Sequence, residues 1–191
     1  MSTGVQRQIS DKSRVRAKAA MPVKVAEPKA PKRLGGVLAK TWFVPSKRGA
    51  SVFGTIFDMG SIDRAGLVKQ GTPATVVGFL SSEMDISKER LVRITGLPRA
   101  TITRKIASNS HLSSDESERI VGLAKLIGQV ETIVKESGER SDFNPARWFA
   151  QWISEPAAAL GGRKPEVLID TADGREAISR LLAQMQSGAY A

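Results

Sequence analysis

ARWFAQWISEPAAALGGRKPEVLIDTADGREAISRLLAQMQSGAYA, residues 146–191, is the stretch of the chain in which prolines and glycines mark helix boundaries most clearly. Asn144 and Pro145, directly before it, form a favourable N-cap and first residue for a helix, because proline has a helical φ and lacks only a donor that would be unpaired there. The apolar side chains that follow recur at spacings of one, three and four residues, so both indoles are expected on one apolar face that packs as core. These side chains are Trp148, Phe149, Trp152 and Ile153.

Prolines and glycines divide the rest of this stretch into short helices. Pro156 predicts a brief helix that ends at Leu160, and Gly161–Gly162 allows positive φ after it. A second brief helix is expected over residues 165–169, and Thr171 is expected to cap the last helix. The buried stripe expected on that last helix is Ala177, Ile178, Leu181, Leu182 and Met185.

Residues 86–109, ISKERLVRITGLPRATITRKIASN, predict two short helices joined by a tight turn. Ser87 is the expected N-cap of the first helix, Gly96 closes it, and Pro98 starts the second. Two short helices joined by a three- to four-residue turn that contains glycine are typical of a helix-turn-helix, whose second helix enters the major groove of DNA. The expected buried residues are Leu91, Ile94, Ile102 and Ile106.

The exposed face of the second helix favours DNA recognition. No acidic residue occurs between Leu91 and Asp115, so cations there could contact phosphate, and arginine could also read guanine edges. A solvated polar face on an ordinary bundle helix is the alternative. The candidate DNA-binding residues are Arg99, Thr101, Thr103, Arg104, Lys105 and Ser108, with Asn109 beside them.

Helices are also expected on both sides of this motif. Ser61 is the expected N-cap of a helix ending at Gly71, with Ile62 in its apolar stripe. A second helix is expected from about Thr72 to Met84, and a longer one from Ser114 to about Lys135 links the two halves of the chain.

The net charge of +10 is confined to residues 1–48, which contain twelve Lys or Arg and only two acids. The remaining residues contain 17 basic and 17 acidic side chains. The arm is rich in proline and has no sustained period, so we expect it to be mostly disordered. A basic arm favours a polyanionic partner such as nucleic acid, and a solubilising tail is the alternative.

Several function classes lack support. The chain has no cysteine and one histidine, His111, which we expect at the surface, so no metal or cofactor is expected. No nucleophile–base pair or glycine-rich phosphate loop appears, which argues against an enzyme. No apolar run is long enough to span a bilayer and no secretory signal is recognisable, so a cytoplasmic location is expected over an organelle transit peptide.

Two segments resemble one bacterial family. Leu91–Ile106 resembles the helix-turn-helix of Xre/Cro-type repressors, although Val92 stands where such motifs more often carry alanine, which implies slightly wider helix packing. Trp152–Gly188 resembles the C-terminal Xre/MbcA/ParS toxin-binding domain of type II antitoxins, with glycines, prolines and apolar positions in the same order. The resemblance covers about residues 61–191 and leaves out the arm.

This resemblance implies an all-α fold with a helix-turn-helix domain over residues 61–136 and a toxin-binding domain over residues 143–191. It implies an antitoxin that covers the active-site cleft of an NAD-consuming RES-domain toxin and represses its own operon as a homodimer, with higher-order complexes when toxin is present. A stand-alone transcriptional regulator with a C-terminal oligomerisation module is the alternative. The residues expected to contact the toxin are Leu182, Met185, Gln186, Gly188, Tyr190 and the terminal Ala191.

Overall fold

The computed structural model describes residues 51–138 and 143–186, and these residues form an all-α fold, as predicted. Eight α-helices and two 3-10 helices make up the described part. They are α1 Val52–Asp58, α2 Ser61–Gln70, α3 Val76–Glu83, α4 Lys88–Ile94, α5 Arg99–Ala107, α6 Ser114–Glu136, α7 Pro145–Trp152, the 3-10 helices Ala158–Leu160 and Pro165–Leu168, and α8 Ala172–Gln186.

The long helix α6 lies at the centre of the fold, and α1, α2, α7 and α8 all pack on it. Its start is fixed by a capping box, in which the Ser113 backbone N–H donates to a Glu116 carboxylate oxygen at 2.7 Å and the Ser113 hydroxyl accepts from the Glu116 N–H. Ile120, Leu123 and Ile127 on this helix are completely buried. The predicted bounds of α6 are confirmed, and the helix supports both halves of the fold in addition to linking them.

Helix α1 was not anticipated, because regular helical structure was expected only from residue 61 onward. Its N-cap is Ser51, whose hydroxyl accepts from the Gly54 N–H at 3.0 Å. Phe53 and Ile56 are buried against α6. The contact requires glycine at position 128, since a Cβ there would lie 2.2 Å from the carbonyl oxygen of Phe53.

Helix α2 has the expected extent, but two details of its prediction are wrong. Its N-cap is Gly60, and Ser61 is the first helical residue. Ile62 is 86% exposed, because the helix turns Leu67, further along, toward the core while its first turn faces outward. Gly71 ends the helix with φ of 80°, as predicted.

Helix α3 begins at Val76, four residues later than predicted. Residues 72–74 pair with the segment that follows α5, and Ala74 and Thr75 form a turn before the helix. Pro73 forms an antiparallel bridge with His111, and the Ala74 N–H donates to the Ser110 carbonyl oxygen at 2.9 Å. His111 itself is exposed, as expected.

The C-terminal segments largely follow the predicted order. The first 3-10 helix begins two residues after Pro156, because the Ala157 N–H is held by the Arg163 carbonyl oxygen at 3.1 Å. Gly161 and Gly162 both have positive φ, at 63° and 78°. The Thr171 hydroxyl accepts from the Gly174 N–H at 3.0 Å, which confirms the predicted cap of α8.

One apolar core serves the whole described part of the chain. Ile153, Ile169 and Ile178 from the C-terminal segments belong to the same contiguous cluster as Leu80 and Leu91. The predicted division between residues 136 and 143 therefore does not separate two cores. No helix within residues 51–138 or 143–186 combines the length and apolarity required to cross a bilayer.

Candidate DNA-reading and toxin-binding surfaces

The helix-turn-helix predicted from the sequence is present. Helix α4 ends at Ile94, and Gly96 makes the turn with φ of 63°. The Leu97 N–H then donates to the Val92 carbonyl oxygen at 2.9 Å, which closes the turn. Pro98 is extended and serves as the N-cap, so α5 starts one residue later than expected.

Helix α5 packs through the residues that its periodicity indicated. Ile102 is only 2% exposed, and Ile106 is half-buried against the core. Val92, larger than the alanine typical at its position, is also buried, at 7% exposure. The turn and the buried face together fix which side of α5 faces solvent.

The outward side of α5 presents two arginines, Arg99 and Arg104, both exposed. Within the described residues neither guanidinium takes part in an ion pair. Thr103 and Ser108 are exposed too, but their hydroxyls donate to the Arg99 and Arg104 carbonyl oxygens, each at 3.0 Å. Thr101 is half-buried. Guanidinium groups without an internal anion are available for phosphate or base contacts.

Lys105 must be separated from this group of candidates. Its ammonium forms an ion pair with Glu116 in the capping box of α6, and its side chain is 21% exposed. Burial raises the pKa of Glu116, but hydrogen bonds from Lys105 and from the Ser113 backbone outweigh it, so the pKa lies below its usual value. The charge of Lys105 is therefore compensated inside the fold, where it links α5 to α6, and its expected contact with DNA stays a prediction.

Aromatic rings stack along one side of α7 in the C-terminal module. The Trp148 and Trp152 ring centroids lie 5.8 Å apart with an interplanar angle of 9°, and Phe143 lies 6.2 Å from Trp148. Both indoles are half-buried against the core, while Phe149 below them is fully buried. The expectation that both tryptophans share one apolar, core-packed face is confirmed.

The residues predicted to contact a toxin have different environments. Leu182 is 2% exposed and part of the core, and its expected contact with a toxin stays a prediction. Met185 is half-buried, and exposed Gln186 donates to the Glu136 carboxylate at 2.7 Å. Gly188, Tyr190 and Ala191 lie outside the described residues.

Two features of the surfaces had not been foreseen. Val167, in the second 3-10 helix, is 59% exposed and offers apolar surface in the C-terminal module. Glu116 forms an ion pair with Lys105. The sequence signal for Glu116 is its position three residues after Ser113, which is that of a capping box. No group of His, Asp or Glu side chains within the described part of the chain could hold a metal ion.

Comparison with known proteins identifies a domain in each half of the chain. Residues 63–125 match the antitoxin Xre-like helix-turn-helix domain, and residues 142–188 match the antitoxin Xre/MbcA/ParS C-terminal toxin-binding domain. The Prs ADP-ribosylating antitoxin of Sphingobium sp. (strain YBL2) is 39% identical over 136 residues, which are 71% of this chain and 86% of that protein. The chain belongs to the Xre family of type II antitoxins.

More distant members of the family match over a similar range. Antitoxin Xre of Yersinia enterocolitica is 24% identical over 124 residues, 64% of this chain and 78% of that protein. Antitoxin Xre of Photorhabdus laumondii is 22% identical over 122 residues, 64% of this chain and 77% of that protein. Family membership favours the antitoxin interpretation over a stand-alone regulator.

Proposed function

We propose that this antitoxin neutralises a RES-domain toxin that consumes NAD and, as a homodimeric repressor, controls its own operon. The proposal is carried by one observation: a helix-turn-helix shares a core with a toxin-binding domain, and its two exposed arginines form no ion pair within residues 51–138 and 143–186. The name of the Sphingobium relative supports the toxin chemistry, because ADP-ribosylation uses NAD as the donor. We assign DNA reading to residues 61–136 and toxin binding to residues 143–191.

The DNA-binding part of the proposal rests on α5. Arg99 and Arg104 are exposed and separated by five residues, so their guanidinium groups can reach the groove and backbone while Ile102 stays in the core. The basic arm, residues 1–48, adds sequence-independent affinity through its net charge of +10. A homodimer would place two α5 helices on the two half-sites of a pseudo-palindrome.

The neutralising part rests on the C-terminal end. Met185 and Gln186 lie where α8 emerges from the core, and Gly188, Tyr190 and Ala191 follow them in the sequence. Tyrosine offers an apolar body with a polar tip, which suits insertion into a cleft. We propose that these five residues enter the NAD cleft of the toxin.

Operator binding is tested by a gel shift on DNA upstream of the gene. The Arg99→Ala/Arg104→Ala double variant should lose operator binding and keep toxin binding. The matched control is Arg180→Ala, which removes an arginine that is exposed on α8 and whose ion-pair partner among the described residues is Glu176. If the double variant binds the operator as tightly as the wild type, the assignment of α5 as the DNA-reading helix is contradicted.

Neutralisation is tested by co-expression with the toxin gene of the same operon, scored by growth. Deletion of residues 187–191 should weaken rescue while leaving operator binding intact. Full growth rescue by this truncated antitoxin would contradict the proposal that its C-terminal residues inhibit the toxin. The oligomeric state follows from the molar mass of the purified antitoxin with and without toxin.

A further inference from the structure

Arg90 and Arg175 join the helix-turn-helix domain to the toxin-binding module, and Arg119 joins α6 to the turn of the helix-turn-helix. We call these three arginines the arginine seam. Arg119 extends from α6 to the turn of the helix-turn-helix. Its Nη1 donates to the Gly96 carbonyl oxygen at 2.8 Å and to the Thr95 carbonyl oxygen at 3.3 Å. The turn that orients α5 is therefore held from outside by a charged donor.

Arg90 makes the second link, from α4 to the module. Its Nη2 lies 3.1 Å from a Glu166 carboxylate oxygen and 3.4 Å from the Ala150 carbonyl oxygen, and it also donates to the Ser154 hydroxyl. The Arg90 and Glu166 side chains are 29% and 20% exposed, so solvent only partly screens this pair. The first helix of the helix-turn-helix is thus bonded to α7 and to the second 3-10 helix.

Arg175 makes the third link, from α8 to α6, and its side chain is 6% exposed. Its Nη1 donates to the Ile169 carbonyl oxygen at 2.8 Å, and its Nη2 pairs with Glu118, next to Arg119 in sequence. It lies close against α6 at Gly122, where an added Cβ would be 2.5 Å from its Nε and would force the side chain to shift. Arg175 therefore fixes the part of α6 from which Arg119 extends.

The toxin-binding module also touches the turn directly. A Cβ at Gly96 would lie 3.0 Å from the Asp170 Cβ and 2.6 Å from the Arg119 Nη1. Gly96 thus lies between a residue of α6 and a residue of the module. This turn has contacts from both sides, in addition to those within the helix-turn-helix.

We propose that the arginine seam positions the helix-turn-helix for operator recognition, so that the toxin-binding module is also a structural part of the DNA-reading unit. The seam residues act through the turn and α4, and none of them needs to touch DNA. This inference rests on the proposed function, namely that α5 reads the operator. It assigns Glu118 and Glu166 as positioning residues that favour operator binding, although their negative charges alone would oppose it.

The two anions allow a test in which positioning and simple electrostatics predict opposite signs. Glu118→Gln/Glu166→Ala removes two negative charges, so an electrostatic effect alone would tighten DNA binding. Loss of positioning should instead weaken operator binding about tenfold, on the order expected when charge-assisted hydrogen bonds are lost. The matched control Glu176→Ala removes an exposed anion of α8 and should not weaken operator binding.

A second variant separates positioning by Arg119 from a direct phosphate contact. Arg119→Ala should lower operator affinity and leave the salt dependence of binding unchanged, whereas loss of a phosphate contact would reduce the salt slope by about one. Arg180→Ala removes the same charge outside the seam and controls for net charge. A reduced slope in Arg119→Ala would assign this residue to DNA contact and overturn its positioning role.

Hydrogen exchange of the free protein tests the seam without any DNA. Amides of residues 96–103 should exchange about tenfold faster in the seam variants, relative to amides of residues 120–127 in the same sample. Unchanged relative exchange overturns the proposal, and so does operator binding that equals or exceeds the wild type in folded Glu118→Gln/Glu166→Ala. If the wild type fails to bind its operator, the proposed function fails, while the exchange result still decides whether the seam holds the turn.

Discussion

Replacement of Gly128 by alanine should detach α1 from the central helix. Alanine normally stabilises a helix by about 1 kcal/mol relative to glycine. At position 128, however, the new Cβ would lie 2.2 Å from the Phe53 carbonyl oxygen and 2.8 Å from the Phe57 Cβ. The first of these is a backbone atom, so a side-chain rotation cannot relieve the clash.

The loss in the free energy of unfolding can be estimated from the packing of α1 on α6 that is disturbed. A small shift of α1 has the cost of overpacking, about 1–3 kcal/mol. Complete release of α1 would expose Phe53 and Ile56, each worth about 1.5–3 kcal/mol when buried. After subtraction of the helix-propensity gain of about 1 kcal/mol, Gly128→Ala should lower the free energy of unfolding by up to about 2 kcal/mol if α1 shifts and by about 2–5 kcal/mol if α1 is released.

Gly66→Ala provides the matched control, because Gly66 is also inside a helix and a Cβ there meets nothing within 4 Å. This variant should be up to about 1 kcal/mol more stable than the wild type. Urea unfolding followed by circular dichroism measures both variants, and the midpoints should move in opposite directions. A Gly128→Ala protein as stable as Gly66→Ala would refute the close packing of α1 on α6.

Three further outcomes are expected. Leu182→Ala should lower the free energy of unfolding by about 2–5 kcal/mol in urea titrations, because it leaves a core cavity, and Met185→Ala should cost less. Ser113→Ala should cost about 0.5–2 kcal/mol in the same assay through loss of the α6 cap. The lowered pKa of Glu116 contributes stability above its unfolded-state value near 4.5, and this contribution disappears as the pH falls through the folded-state pKa. The stability advantage of the wild type over Glu116→Gln should therefore shrink below about pH 4.5, and a difference that is constant down to pH 3 would contradict it.

Local sequence patterns predicted a helix boundary where the capping side chain and its hydrogen-bond partner are close together in the sequence. Ser87, Ser113 and Asn144 each cap a helix through a hydrogen bond to an N–H three residues ahead, so the sequence contains both partners. The turn at Gly96 was predictable for the same reason. In contrast, α3 begins late because Pro73 pairs with a segment almost forty residues away, which no local pattern reveals.

Tertiary contacts of the candidate site residues could not be predicted from the sequence. Lys105 has the position of a solvent-facing cation on α5, and only the fold brings Glu116 within reach of it. Leu182 was expected both in the buried stripe of α8 and at the toxin surface. Its burial confirms the first expectation, and the second stays a prediction. An apolar stripe in the sequence identifies one face of a helix, whereas the structure shows which residues pack against that face.

The shared core around α6 has a consequence for recombination between antitoxins. A crossover in residues 139–142 would join α6 of one parent to α7 and α8 of another, although Leu123 and Ile127 of α6 lie in one core with Ile153 and Ile178 of those segments. Such a chimera would combine two halves of a core that were never selected together. An exchange of toxin specificity is therefore expected to succeed only when α6 is transplanted with the module that it supports.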